Sequence, residues 1–493
     1  MKRVKDLLGM MALLLMAVMT AACSGNEDGN EEPVVPEPKL LSFGFYAEDN
    51  QGVLAADYVS EAISSDVVTI AMPSMADKSH LVARFTTNEG NTVLVDGVTQ
   101  ESGKTENDYT IPVDFIVSNG TQNAKYTVTV TKASNMAWVQ QPTFTDAALY
   151  NGAVMRVNPA DGLPYVAYKD RDTNKMTLLK LDGGSWKEVG KAGFSTVVAS
   201  SDYDFDFDVE GTPYVAYSDE EAANVKGAPS LMKWNGTSWE YLGKQDFVEA
   251  QSQKINLVVT GKDQAFMTQV NNDRKVAYPR RALIFSAYTG SWNNAEPFVG
   301  TEFIDSRLGK SGNEVYLFTL NRSSQHSVYR YNNGTWEPLL TNHVEGNATG
   351  TAIVCMQLIA RNDGTLYLLT ADDAVTKGVY LPRLKAYDPS SKQWSTVGGN
   401  SLDFMTKSVS RSFSASVAVA PDGTIFIAYA DENEQYAPKV VYMDHDTKQW
   451  STPIKIEDTE AEDVNIAFTS TGVGYITFTD SDNHLHSYKY TEK

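Results

Sequence analysis

Five aspartates stand at one place in a repeated run. Asp170 and Asp219 close Pro-Tyr-Val-Ala-Tyr-Lys-Asp and Pro-Tyr-Val-Ala-Tyr-Ser-Asp, Asp431 closes Ile-Phe-Ile-Ala-Tyr-Ala-Asp, and Asp372 and Asp480 end equivalent runs. Val270 and Asn321 occupy the corresponding places in two more. Carboxylates gathered on one face can hold a cation or bond the hydroxyls of a polar ligand. They can equally accept backbone N–H groups and cap their own turns. Further acids follow in the same loops: Asp172, Glu220, Glu221, Asp373, Glu432 and Asp482. Asp170, Asp172 and Asn174 have the D-x-D-x-N opening of a calcium loop, without its glycine at the sixth place or glutamate at the twelfth. Ca²⁺ is the one ion these residues suggest, and no cofactor is predicted.

Asp202, Asp204, Asp206 and Asp208 alternate with Tyr203, Phe205 and Phe207. On a strand the four acids share one face, where they need water, a cation or an arginine. Arg307 and Arg411 sit at or just before apolar strands, and Arg280 and Arg281 lie in a long loop. They could meet an anionic ligand, but no arginine triad with a Tyr/Glu pair assembles. His326, His343 and His484 are too sparse for a zinc motif and are expected in different repeats. Tyr278, Tyr380, Tyr436 and Phe194 could stack on a sugar ring or simply cover the tips of the fold. Cys355 lies in the apolar run Ile-Val-Cys-Met and reads as a buried thiol. No P-loop, dinucleotide, G-x-S-x-G or H-E-x-x-H pattern occurs.

The elements that must position these residues are strands. Trp186, Trp239, Trp292, Trp336, Trp394 and Trp450 recur at intervals of about 50 residues, each after the run described above and a second strand. Four strand-like pieces per unit at this period predict a β-propeller. The last unit ends at Lys493 without its fourth strand, while Ala137-Trp138-Val139 stands alone before the first. Met136–Phe144 is therefore expected to supply the missing strand and close a seven-bladed propeller over 136–493. The tryptophan motif resembles the Kelch pattern (Tyr387-Asp388-Pro389, then Trp394) but lacks its diglycine. It also resembles the sialidase Asp-box, with the wrong spacing from Asp182 to Trp186.

Ahead of this, Leu40 to about Ser134 alternates in short runs, as in Tyr126-Thr-Val-Thr-Val-Thr. A two-sheet sandwich over 40–134 is expected. With Leu41-Ser-Phe-Gly-Phe at its start, this stretch resembles the cadherin-like or immunoglobulin-like modules of Bacteroidota surface lipoproteins, which implies a spacer. Lys2, Arg3 and Lys5, the apolar run Leu7–Met19 and Thr20-Ala-Ala before Cys23 read as a signal peptide over 1–22. They resemble a lipoprotein signal, which implies lipidation of Cys23 and firm anchoring. Residues 23–39 are rich in Gly, Pro and acids and form a flexible tether. The resemblance implies an outer-membrane lipid anchor facing the cell exterior.

The formal net charge of −21, with 62 Asp+Glu against 41 Lys+Arg, argues against nucleic-acid binding and docking on anionic lipid. The expected class is all-β: a sandwich followed by a propeller. The expected function is capture of an extracellular ligand, a glycan first, without catalysis. The other readings are a propeller glycoside hydrolase or polysaccharide lyase, and a scaffold for a surface protein.

Overall fold

The computed structural model describes residues 36–492 apart from 61–62, 64, 74, 134–135, 147–148, 275, 346–350, 400 and 406–413. Cys23 and Arg411 thus lie outside the described residues.

The N-terminal part is a pair of sheets. One orders Tyr58–Ser60, Leu40–Phe45, Leu81–Thr87 and Glu106–Asn107. The other orders Val67–Met72, Asn123–Lys132, Val113–Ser118, Thr92–Val95 and Val98–Thr99, its first pair being parallel. Strict alternation makes Val67–Met72 bury every second side chain. Phe43, Phe45, Phe85, Tyr109 and Phe115 fill the space between the sheets, mostly edge to face.

From Met136 onward the described residues form seven four-stranded antiparallel sheets, here I to VII, with strands a to d. Strands a are Leu149–Val157, Val198–Phe207, Ser252–Gly261, Phe303–Ser311, Ile353–Ala360, Ala415–Val419 and Glu462–Phe468. They pack side by side in that order, and the last returns to the first, giving a β-propeller around an inner channel. Sheet VII takes Met136–Phe144 as its outer strand d, paired from Met136↔Glu492 to Phe144↔Leu485, as the sequence predicts.

Central strands such as Pro164–Asp170 and Pro213–Asp219 bury side chains on both faces, so each sheet must be covered by its neighbours. The tryptophans do this. Trp186, Trp239, Trp292 and Trp394 donate their indole N–H to the carbonyls of Pro142, Val189, Leu242 and Leu339, each on the preceding sheet, at 2.9–3.1 Å. Phe194 stacks on Trp239 at 4.0 Å and Phe247 on Trp292 at 3.6 Å. Phe194 is therefore a wall of the blade joint rather than a platform for a sugar.

The sandwich meets the propeller on the lower face, the one made by the a–b and c–d turns. Lys132 pairs with Asp444 (2.9 Å) and Asp446 (3.1 Å) in the c–d turn of sheet VI. Met75 packs into the cluster of Ala418, Phe426 and Ile466.

Candidate functional site

The upper face is built from the b–c and d–a loops. At the end of every strand b one side chain accepts the backbone N–H two residues on. Asp170 bonds Asp172, Asp219 bonds Glu221, Asn271 bonds Asp273, Asn321 bonds Ser323, Asp372 bonds Ala374, Asp431 bonds Asn433 and Asp480 bonds Asp482, all at 2.9–3.1 Å. The position taken for Val270 belongs to Asn271. Val270 is a buried apolar residue of sheet III, and the run there is one residue longer than expected. The recurring acids are thus turn caps first.

In Asp219, Asp372, Asp431 and Asp480 the second oxygen is engaged from strand c or a loop. Ser230 and Gln245 donate to Asp219 at 3.0 and 2.6 Å, and Lys439 bonds Asp431 at 2.7 Å. Arg383 pairs with Asp372, and His486 and His484 meet Asp480 at 3.0 and 3.2 Å. Asp170 also takes the backbone N–H and hydroxyl of Thr173, both at 2.7 Å. Asn174 is left-handed (φ 54°) and donates its backbone N–H to the Asp170 carbonyl. In this loop the Asp170 carboxylate is turned inward.

Of the aromatics, Tyr436 is 44% exposed beside the Asp431 turn, and Tyr278 is half-buried against sheet III. Tyr380 is only 4% exposed. It packs with Ala352 and Ala371, and so is not the surface aromatic expected from its loop-like surroundings.

The channel has a volume of about 840 Å³ and is lined by strands a. Polar side chains on these strands clasp each sheet to the next. Asp204 and Asp206 accept the N–H groups of Leu257 (2.9 Å) and Val259 (2.7 Å), and Asn256 donates to the Ser306 carbonyl (2.9 Å). Gln357 accepts from Val417 (2.8 Å), Ser414 from Val464 (2.7 Å), and Asn465 from Met155 (3.3 Å). Arg156 bonds Asp204 (2.8 Å), and Arg307 bonds Asp305 (2.5 Å) and the Cys355 carbonyl (3.2 Å). Lys310 pairs with Asp206 at 2.6 Å. Asp204 and Asp206 are therefore neutralised joints, and Asp208 caps its a–b turn through Glu210 and Thr212. Cys355 is buried, and burial pushes its thiol up, away from the nucleophilic thiolate.

One constellation escaped the sequence reading. His326 and His343 belong to the same sheet, IV, and face each other directly across strands c and d, so placing them in different repeats was wrong. Strand d of sheet IV is long, Thr335–His343, and this brings its end beside the start of strand c. Glu345 follows two residues later. Its Oε1 lies 3.5 Å from His343 Nε2 and 3.7 Å from His326 Nε2. Lys385, from strand c of sheet V, pairs with Glu345 and lies 3.1 Å from His343 Nε2. Burial pulls His326 down to about 3. Burial pushes Glu345 up, but its contacts with His343 and Lys385 outweigh this and hold it at about 2. The H-x-E spacing of His343 and Glu345 was a local signal; Lys385 had none.

Residues 56–130, within the sandwich, match the family model described as "SGBP, N-terminal", the N-terminal domain of surface glycan-binding proteins. No curated protein matches the chain. Among solved structures, a polysaccharide lyase of family PL25, an ulvan lyase, is 13% identical at a TM-score of 0.45, covering 72% of this chain and 96% of its own. The six-bladed fungal lectin of Aleuria aurantia is 16% identical at 0.36, covering 59% and 93%. An α-L-arabinanase from Penicillium chrysogenum is 11% identical at 0.41, covering 73% and 98%. Likeness at this level carries no inference about chemistry. No helix among the described residues is long and apolar enough to cross a membrane.

Proposed function

We propose that this chain is a surface lipoprotein that captures an extracellular glycan without altering it. The observation that carries the reading is the match of residues 56–130 to the N-terminal domain of surface glycan-binding proteins. In this reading Cys23 bears the lipid anchor in the outer membrane, 23–39 is the tether, and the protein faces outward. An immunoglobulin- or cadherin-like sandwich over 40–134 is the spacer. The sheets over 136–493 are the blades of one seven-bladed propeller, which is the binding head.

The chemistry of the molecule supports binding over turnover. The recurring upper-face acids accept N–H groups of their own turns, and the channel acids accept those of neighbouring strands. The carboxylate oxygens that accept these bonds are occupied within the fold. A hydrolase needs two carboxyl groups free to meet the glycosidic bond from opposite sides. The uncovered polar loops around Tyr436 and Tyr278 offer hydroxyl-bonding groups beside aromatic rings, which suits a sugar.

The test is retention of the protein on a panel of immobilised polysaccharides, with the soluble glycan re-examined by chromatography. Retention with unchanged glycan is the expected result. Shortened products would replace this reading with a hydrolase or lyase, and no retention on any glycan would replace it with a protein partner.

A further inference from the structure

His326 is fully buried, and neither of its ring nitrogens has a hydrogen-bond partner. A buried imidazole with both nitrogens idle is costly. Its ring is fixed by stacking on Phe318 and by an edge contact with His343, with centroids 5.8 and 4.8 Å away. One ligand atom from each of His326, His343 and Glu345 lies within 4.8 Å of the other two.

A tetrahedral ion with bonds of about 2.0–2.1 Å holds its ligand atoms roughly 3.4 Å apart. The His343–Glu345 and His326–Glu345 separations of 3.5 and 3.7 Å are near that value. Two imidazoles and one carboxylate are a donor set for a first-row divalent ion of the zinc type, which is softer than Ca²⁺ or Mg²⁺ in its ligand preference. His326 and Glu345 are buried, while His343 is about one-third exposed and gives the only stepped access among these three.

We propose that His326, His343 and Glu345 bind one divalent ion of the zinc class, and that Lys385 competes for its place. The Lys385 ammonium now lies against the acceptor atoms of both Glu345 and His343. An ammonium and a divalent ion repel each other and share the same lone pairs, so the ion enters as the lysine withdraws along its flexible stem. The ion gives His326 Nε2 the partner it lacks. This site is separate from the glycan reading and stands or falls without it.

The full chain, stripped with a chelator, is titrated with Zn²⁺ by calorimetry and with Co²⁺ by visible absorption. The expected result is one ion per chain, with the d–d bands of a tetrahedral Co²⁺ site. His326→Ala and His343→Gln lower the affinity at least tenfold, and Lys385→Met raises it severalfold. His343 lies at the edge of the site, so His343→Gln keeps the core packed even where His326→Ala unfolds, and circular dichroism checks each variant. The proposal is overturned by no binding to the parent chain, by affinity unchanged in both histidine variants, or by binding that disappears only when Asp480 and His484 are replaced.

Discussion

Gly243 shows how a single missing methyl sets a joint between blades. Its φ is +76°, and a Cβ placed on it would lie 2.9 Å from Tyr288 and 3.1 Å from Trp292 Nε1. Trp292 needs that approach because its indole N–H reaches the carbonyl of Leu242, the adjacent residue. Gly190 and Gly398 are left-handed at comparable strand ends, beneath Trp234 and Trp450. Gly243→Ala is expected to cost more than about 1 kcal/mol, from the left-handed backbone and the crowded ring together. Trp292→Phe keeps most of the buried area but leaves the Leu242 carbonyl unpaired, for a loss of about 1 kcal/mol. Urea unfolding of both variants checks the order, with the glycine change the larger. At this scale the sequence was legible where a residue recurs. The turn caps recur as aspartate in five blades and asparagine in two, and the tryptophans recur at about 50 residues, so their type betrays a role. The glycines below them pass as ordinary turn residues, and Asn271 hid behind a one-residue shift because an amide caps a turn as well as a carboxylate does.

The elements repeat the same logic with a different closure. Strand d of sheet VII comes from the start of the propeller, and Trp186 of sheet I donates to Pro142 on it. Removing 136–144 would strip the partner from Leu485–Glu492 and leave a long unpaired edge that invites other chains. A chain starting at residue 145 is expected to aggregate on concentration. Light scattering measures this, and a synthetic 136–144 peptide should suppress it. This closure could be read beforehand because one tryptophan was due beyond the end of the chain and one stood unclaimed before it. The inner strands could not be read so well. Asp204 and Asp206 looked like a solvated or metal-binding row, yet their partners are N–H groups of Leu257 and Val259, about 53 residues away on another sheet. No local pattern announces a partner at that distance. The same reason hid Lys385 from His343 and Glu345.

On the scale of the whole molecule, the sandwich and the propeller are joined on the lower face partly by charge. Burial pushes the Asp444 carboxyl up, but the Thr447 backbone N–H and the Lys132 ammonium outweigh it and hold it at about 2. A carboxylate lowered on folding stabilises the folded arrangement above its ordinary value of about 3.9, and that contribution fades as pH falls toward 2. The link between sandwich and propeller should therefore hold unchanged at pH 5 and above and loosen between about pH 4 and 2. Small-angle scattering across that range measures it, and Lys132→Met should give the loosened profile already at pH 5. A profile indifferent to both would mean that the Met75 contact alone holds the two parts.

Strand d of sheet VII also decides how the molecule bears a pull. The chain enters the propeller at Met136, opposite Glu492, at the lower end of the sheet, and runs upward to Phe144 opposite Leu485. Tension arriving through the sandwich acts along the axis of this strand. Its backbone bonds are loaded in shear and must slip together, where a strand peeled from its end would yield one bond at a time. A pull on this strand from below is thus resisted by the whole run of pairs from Met136↔Glu492 to Phe144↔Leu485 at once.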